Sequence, residues 1–283
     1  MPQLMRLWFE LWQTPKLAPL ATAHPRVLLK PQRLYLMQGL GAAKRWEILH
    51  EHYAFAAEYF QAAALREIFT GPGILLATLP VTETGHSSLR LLYDDLFEKE
   101  GELSLVFCEE RERRPIVTLT FCVSCRHPER REVFIGGLQG NQAANGREYI
   151  VSLTRGMYGL RPKALLLFAL QQFAALWNVR SLRAVSNANR ACRHPSSIKA
   201  DYDAFWADSG GQMQADGNYT LPIRFVAREM AGIRPNKRTM YRHRYQMLND
   251  LGAQLRQTAS RLEDSVPVAA LSTGVGPASR VIC

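Results

Sequence analysis

The sequence has few cysteines and no long apolar run. Only 5 of its 283 residues are cysteine, too few and too irregularly spaced for a disulfide framework. No segment reaches the roughly 18 consecutive apolar residues of a membrane-spanning helix, since Gln171 and Gln172 split the longest candidate, residues 164–177. A secretory signal is not expected, because Arg6 and Glu10 interrupt the apolar N-terminus. We therefore predict a cytoplasmic protein.

The sequence also lacks a pattern of metal ligands. Cys122 and Cys125 lie in an alternating strand pattern, which would direct the two thiols to opposite faces of a sheet. No second cysteine pair exists, and His127 and His194 have no spacing that completes a tetrahedral site. We expect no bound metal.

Positive charge, by contrast, is abundant. Lys and Arg number 35 against 25 Asp and Glu, and the hydrophobic fraction of 47 % is that of an ordinary globular protein. The formal net charge of +10 favours an anionic partner. Nucleic acid, an anionic membrane surface and a phosphate-bearing small molecule all agree with this charge.

The chain divides by pattern into three parts. Apolar residues recur at helical spacing over 42–69, which predicts a helical N-terminal region, 1–72. Short runs rich in β-branched and aromatic residues follow, and they predict an antiparallel sheet within a domain spanning 73–262. The predicted strands are 74–79, 89–93, 103–108, 116–124, 133–138 and 149–153. Residues 263–283 have no period and are predicted to be a disordered tail.

The second half of this domain predicts one parallel crossover. Residues 149–186 suggest a strand, a basic glycine turn, a buried helix beginning at Pro162 and a second strand. A helix over 196–209, a short strand over 219–221 and a basic helix over 236–262 should follow. The predicted class is α+β, with a helical N-terminal part before a mixed, mainly antiparallel sheet with one βαβ crossover.

This order of elements is similar to the acyl-CoA-dependent N-acetyltransferase fold. Three antiparallel strands precede a basic glycine turn, a helix and a parallel strand, and in that fold the turn holds the pyrophosphate of the cofactor. The resemblance implies acyl-CoA as cofactor. The spacing departs from the family loop, because Gly159 follows Arg155 by four residues and Arg161 stands where a second glycine is usual.

The basic glycine turn itself is a candidate phosphate site. Its cofactor-binding candidates are Arg155, Gly156, Gly159, Arg161 and Lys163. Free N–H groups and the dipole at a helix N-terminus favour an anion, and arginine can bind phosphate oxygens in pairs. A solvated basic turn that merely caps a helix is an equally good interpretation.

Three polar residues near the predicted sheet end are catalytic candidates. Asn187 follows a strand, where ligands of open α/β sheets bind, and Asp201 and Tyr202 stand among aromatic residues. Tyr202 could serve as general acid and Asp201 as base. The alternatives are an asparagine turn and a helix with an aromatic core face.

The C-terminal basic helix carries a second candidate surface. Residues 224–261 hold nine Lys or Arg against two Asp or Glu, and Lys237, Arg238, Arg242 and Arg244 stand among aromatic residues. This mixture suits lipid headgroups or another anionic partner. A basic, solvated outer face explains it too, and nucleic acid is the less favoured partner because no nucleic-acid fold is recognised.

Five ordered blocks resemble the VirK/YbjX family of Gram-negative bacteria. They are 134–140, 159–163, 184–187, 202–206 and 237–245, within a resemblance that covers roughly residues 25 to 255. The resemblance implies a role in virulence, stress survival, tolerance of antimicrobial peptides and display of envelope components, without an established reaction. Members usually have a His after the third block, where this chain has Ala188, so no catalytic role of that His carries over.

Two functions agree with these observations. The first is support of envelope remodelling by an acyl-CoA-dependent acyltransferase. The second is non-enzymatic binding of anionic lipid or a polyanionic partner, with peripheral contact at the inner membrane. A pocket that joins residues 155–163 to Asn187 and Tyr202 would favour the enzyme, whereas the binding protein needs only an exposed cationic face.

Overall fold

A mixed sheet runs through the centre of the computed structural model, which describes residues 2–82, 85–111, 113–125, 130–140, 146–191 and 201–263. Its eight described strands have the order β1-β2-β3-β4-β5-β6-β8-β7. They are β1 (Ile74–Thr82), β2 (Gly85–Leu92), β3 (Leu103–Glu109), β4 (Pro115–Cys125), β5 (Arg131–Gly140), β6 (Val179–Ala184), β7 (Gln212–Met213) and β8 (Tyr219–Leu221). All described neighbours are antiparallel except β5 and β6. The predicted α+β class with a mainly antiparallel sheet is confirmed.

The structure describes eight α-helices, four before β1 and four after β5. They are α1 (Pro2–Trp12), α2 (Ala18–Ala23), α3 (Ala42–Tyr59), α4 (Ala62–Thr70), α5 (Gly146–Gly156), α6 (Pro162–Leu176), α7 (Tyr202–Asp208) and α8 (Arg238–Leu262). The N-terminal helices and the sheet share one continuous core, in which Trp8, Tyr53 and Phe121 are fully buried. The N-terminal helices therefore pack directly on the sheet.

One predicted strand is wrong. Residues 149–153 belong to helix α5, in which Leu153 is buried and Val151 is exposed. Leu153 and Met157 are both buried at a spacing of four, which is helical rather than alternating. A run of five apolar and polar residues does not distinguish the two periods. The crossover therefore leaves the sheet from β5, passes through α5 and α6, and returns as β6 parallel to β5.

Helix α8 covers the outer strand β1. The Gln254 side chain accepts a hydrogen bond from the Thr78 N–H at 3.1 Å and donates to the Thr78 carbonyl at 3.4 Å. The Thr258 hydroxyl donates to the carbonyl of Leu76 at 3.1 Å. These side chains satisfy backbone groups that an uncovered edge would offer to another chain.

Several predictions concern residues outside the described ranges. The predicted tail lies there from residue 264 onward, as do His127, His194 and residues 196–200 of the predicted helix 196–209. The described part of that helix is α7, which begins at Tyr202.

Candidate functional site

The basic glycine turn, residues 155–163, connects two helices, α5 and α6. The N–H groups of residues 157–160 all donate to carbonyls of residues 153–157, at 2.7 to 3.0 Å. At the start of α6, Pro162 has no N–H, and the N–H groups of Ala164 and Leu165 donate to the Arg161 carbonyl. The turn therefore uses the N–H groups of residues 157–160 to close itself, and phosphate binding by the rest of the turn stays a prediction.

Packing and backbone geometry explain the two glycines of this turn. A Cβ at Gly156 would lie 1.7 Å from the carbonyl oxygen of Val81, so α5 approaches β1 only because this residue lacks a side chain. Gly159 has φ +77°, a left-handed conformation that glycine adopts without strain. Neither glycine needs a phosphate to account for it.

The cations of the turn have different surroundings. Arg155 and Arg161 are exposed, and the Arg161 guanidinium lies 3.9 Å from the carboxylate of Asp208 at the end of α7. Lys163 is half-buried, and burial lowers the pKa of its ammonium group. The cofactor-binding role of these side chains stays a prediction.

A cavity of 440 Å³ opens beside the turn. It lies between α6, the end of α7, the segment 222–228 and the first turns of α8. Leu160, Ala164 and Leu167 form its apolar floor at helical spacing. Arg224, Arg228 and Arg244 belong to the same lining, with Asp208 as the carboxylate among them. The cavity thus combines an apolar floor with an excess of positive charge.

Helix α8 supplies an aromatic wall and docks on the glycine turn. The Arg244 guanidinium donates from Nε and Nη2 to the Tyr158 carbonyl at 3.0 and 2.7 Å. The same group lies 4.2 Å from the ring centroid of Tyr241, whose ring contacts that of Tyr245 edge to face. The structure therefore joins the two predicted basic segments, since the turn and α8 meet at Arg244.

We call residues 222–228 the strap, because they cross the groove between α6 and α8. Gln171 Nε2 donates to the Pro222 carbonyl at 2.8 Å. At the other end, the Tyr245 hydroxyl accepts from the Arg228 N–H at 2.9 Å and donates to the Arg228 carbonyl at 3.2 Å. Between these ties the Phe225 ring meets the rings of Phe168 and Tyr245 edge to face.

The predicted cationic face of α8 divides into two sets. Arg244 lines the cavity, and Arg238 Nε donates to the Ile233 carbonyl at 3.0 Å. Lys237 and Arg242 are exposed. A surface role for these two stays a prediction.

The three catalytic candidates meet at the start of α7. Asn187 Nδ2 donates to Asp201 Oδ1 at 2.7 Å, and Asn187 Oδ1 accepts from the Tyr202 N–H at 3.0 Å. Asp201 caps α7 by accepting from the Ala204 N–H, and this bond, with that from Asn187, lowers the pKa of its carboxyl. Asn187 and Asp201 thus fix the corner between β6 and α7.

Tyr202 does not occupy the expected position. Its side chain is 1 % exposed, and its hydroxyl accepts from the Leu138 N–H at 2.9 Å and from Gln139 Nε2 at 3.0 Å. Strand β6 pairs with β5 only as far as Ile135, so the Leu138 N–H needs another acceptor on that side. Tyr202 is not in the lining of the cavity, which lies at the opposite end of α7. Tyr202 is therefore not part of the cavity beside the turn, and its catalytic role stays a prediction.

Beside Tyr202 lies an acid that the sequence analysis missed. The Glu100 side chain is buried, and Gln139 Nε2 donates to its Oε1 and Oε2 at 2.9 and 3.2 Å. Burial raises the pKa of this carboxyl to about 7. A Cβ at Gly137 would lie 1.8 Å from Glu100 Oε2, so the glycine pair in β5 makes the room for this side chain. That pair is the sequence signal for a close contact.

The comparison with known proteins identifies the family. Residues 1–257 match the family described as "protein of unknown function (DUF535)". The chain is also 34% identical over 262 residues to the uncharacterized protein YbjX of Escherichia coli, covering 90% of this chain and 79% of that protein. The chain belongs to the DUF535 family. The resemblance to the VirK/YbjX family is thereby confirmed.

A second uncharacterized protein and one solved structure are also similar to this chain. An uncharacterized protein of Haemophilus influenzae is 25% identical over 219 residues, covering 76% of this chain and 72% of the relative. A mutant of a cAMP-binding acyltransferase from Mycobacterium smegmatis is 11% identical, with a TM-score of 0.31, over 76% of this chain and 63% of that chain. A similarity at this TM-score carries no argument about fold or activity.

Two further observations bear on the class of ligand. None of the helices within the described ranges is both long enough and apolar enough to cross a membrane. In the same part of the chain, no group of three or more His, Cys, Asp or Glu side chains is placed to hold a metal ion.

Proposed function

We propose that this DUF535 protein binds a phosphate-bearing amphiphile in the cavity beside the glycine turn. The observation that carries the proposal is the pairing of an apolar floor, formed by Leu160, Ala164 and Leu167, with the cations of Arg224, Arg228 and Arg244. An amphiphile places its apolar part against such a floor and its anionic part against such cations. A purely polar anion would leave the floor unused.

The charges of the cavity favour phosphate over a neutral headgroup. Three guanidinium groups stand against the single carboxylate of Asp208, which Arg161 approaches to 3.9 Å from outside the lining. Guanidinium groups bind phosphate oxygens in pairs, and they remain charged at every physiological pH. Arg224 and Arg228 are exposed on the strap, so both can reach an incoming headgroup.

Binding is better supported than acyl transfer. An acyl-CoA carries phosphates and an apolar chain, so it is one member of the proposed ligand class. Transfer would also require an acid or base placed for that reaction beside the bound ligand. Asp208 is a carboxylate in the lining, but Tyr202, the acid that the sequence suggests, is buried at the far end of α7 with its hydroxyl bound to β5. The proposed protein therefore holds or presents its ligand.

The cellular role in the proposal follows the family. The ligand would be a lipid or acyl compound of the envelope, bound at the inner membrane from the cytoplasm. Handling such a compound supports envelope remodelling, and through it tolerance of cationic antimicrobial peptides and survival under stress or during infection. The source of the phosphate, a lipid headgroup in a membrane or a free acyl compound, is decided by the following experiment.

The test measures binding of palmitoyl-CoA by calorimetry and of phosphatidylglycerol vesicles by sedimentation. The cavity variant combines Arg224→Gln with Arg228→Gln, and the matched control combines Lys237→Gln with Arg242→Gln on the exposed part of α8. We expect the cavity variant to weaken binding of palmitoyl-CoA at least tenfold and the control to leave it within twofold.

The outcomes separate the two sources of phosphate. Vesicle binding that is lost in the cavity variant identifies a lipid headgroup as a ligand, whereas binding of palmitoyl-CoA alone identifies a free acyl compound. Equal loss in both variants would show nonspecific attraction and overturn the proposal, as would failure of the wild type to bind either probe. Release of CoA during the titration would show turnover and revive the acyltransferase.

A further inference from the structure

The groove between α6 and α8 continues beyond the first cavity. A second cavity of 460 Å³ lies on the other side of the strap. Its lining includes Phe168 and Ala175 from α6, and Leu248, Gly252 and Arg256 from α8. Both cavities share Gln171, Arg224 and Phe225, so they meet beneath the strap.

The two cavities follow one another along the same pair of helices. On α6 the lining runs from Ala164 in the first cavity through Gln171 to Ala175 in the second. On α8 it runs from Tyr241 in the first to Arg256 in the second. At about 1.5 Å per residue, the distance along α6 from Ala164 to Ala175 is about 17 Å. The two linings therefore extend along about three turns of α6.

Phe225 is the aromatic residue among the three that the two linings share, and it lies between the two halves of the groove. The residue is 38% exposed, and its ring packs edge to face on Phe168 and Tyr245. The hydrogen bonds that hold the strap are at its ends, Pro222 and Arg228. Rotation of this half-exposed side chain would connect the two cavities without breaking those bonds.

We propose that the two cavities form one binding site for a single linear acyl or alkyl chain. The phosphate end lies at Arg228 and Arg244, and the chain passes beneath Phe225 into the second cavity toward Arg256. This inference rests on the proposed function and specifies its ligand class, since a bulky or branched apolar group fills one cavity only. Phe168, Ala175 and Leu248 provide the apolar part of the second lining, which also contains Gln172, Asn249 and Arg256. Arg228 and Arg244 belong to the first lining alone, and they mark the end at which the chain begins.

The experiment compares octyl, dodecyl and tetradecyl phosphate, each below its micelle concentration, by calorimetry. The two matched variants are Ala164→Phe, which narrows the first cavity, and Ala175→Phe, which narrows the second. Burial of each methylene is worth about fourfold in affinity. We expect the affinity of the wild type to rise with chain length by that factor for each methylene, until the chain fills the groove.

The variants should act differently on the series. We expect Ala164→Phe to weaken all three phosphates at least tenfold. Ala175→Phe should leave octyl phosphate within twofold and remove the gain for tetradecyl phosphate. Asn249→Trp, an exposed position in the second lining, provides an independent block if Ala175→Phe fails to fold.

The two proposals fail in different ways. If the wild type binds all three phosphates equally, or if Ala175→Phe and Asn249→Trp keep the full gain with chain length, the continuous groove is overturned while the cavity beside the turn stands. If none of the phosphates binds, or if Ala164→Phe leaves their affinities unchanged, the proposed function falls and the groove falls with it.

Discussion

Glu100 and Glu102 are two buried acids separated by a single residue, and their surroundings differ completely. The Glu102 carboxylate pairs with Lys30 Nζ at 2.7 Å and accepts a hydrogen bond from the Tyr53 hydroxyl. Glu100 has the neutral amide of Gln139 as its hydrogen-bond donor, and Arg190 acts on it only through its charge. Burial raises the pKa of Glu100 to about 7.

The difference shows two ways in which this fold accommodates a buried carboxyl group. Glu102 lies where the N-terminal helical part meets the sheet, and a full ion pair with Lys30 joins the two layers there. Glu100 lies where β5 meets α7 and has no such pair among the residues that the structure describes, so burial favours the protonated form of its carboxyl. The first site is a buried ion pair that joins two layers, whereas at the second site burial raises the pKa of the carboxyl to about 7.

The largest expected effect on stability comes from breaking the ion pair of Glu102 with Lys30. Glu102→Ala leaves the Lys30 ammonium buried without a partner, and we expect a loss of about 3 to 5 kcal/mol in the free energy of unfolding. The combination of Lys30→Met with Glu102→Leu removes both charges and should recover most of that loss. Urea denaturation measures both. Equal destabilisation by the single and the double change would show that packing, and not the unpaired charge, is responsible.

The next largest expected effect is the dependence of the free energy of unfolding on pH, which Glu100 should produce. Because the folded pKa of Glu100 lies above the ordinary value of 4.5, the folded state binds a proton more tightly than the unfolded state. The stability it contributes is present below pH 4.5 and is lost as the pH rises through about 7, by up to roughly 3 kcal/mol. Glu100→Gln should remove this loss, so the variant is more stable than the wild type at pH 8.

The measurement is the free energy of unfolding between pH 4.5 and pH 8. Exposed Glu110 provides the matched control, and Glu110→Gln should leave the slope unchanged. A slope that is the same in the wild type and in Glu100→Gln would mean that Glu100 stays ionised in the folded protein. In that case Arg190 compensates it, and the contrast with Glu102 disappears.

The same comparison explains what the sequence could and could not reveal. The pattern of apolar runs predicts most strands, and Pro162 with its apolar sequel predicts α6, because these signals are local. The pairing of Glu102 with Lys30 and the contact of Glu100 with Gly137 join distant segments, so no local pattern contains them. The cavity is of the same kind, since Arg244 reaches the glycine turn only through the packing of α8.

Two expectations for the site depend in the same way on how the folded chain forms its hydrogen bonds. The glycine turn was expected to offer N–H groups to phosphate, but whether those groups are free depends on how the turn closes. Tyr202 was expected to face a pocket, but the early end of β6 leaves the Leu138 N–H without a strand partner and draws the hydroxyl inward. In each case a backbone N–H group needs an acceptor within the fold, and that hydrogen bond uses the group to which the sequence assigned a function.

The smallest expected effect concerns Tyr202, which lies beside Glu100. Tyr202→Phe removes the acceptor of the Leu138 N–H and of Gln139 Nε2. A buried donor without a partner costs about 1 to 3 kcal/mol, so the free energy of unfolding should fall by that amount. Binding of palmitoyl-CoA should stay within twofold, because the hydroxyl lies outside the lining of the cavity. If Tyr202→Phe instead kept full stability and lowered a measured release of CoA by about 10², the hydroxyl would be the acid of an acyltransferase after all. A fall in stability with unchanged binding would show that the Tyr202 hydroxyl has a structural role, as the acceptor for the Leu138 N–H of β5. Glu100 would then be the residue of this corner whose pKa lies near neutral pH.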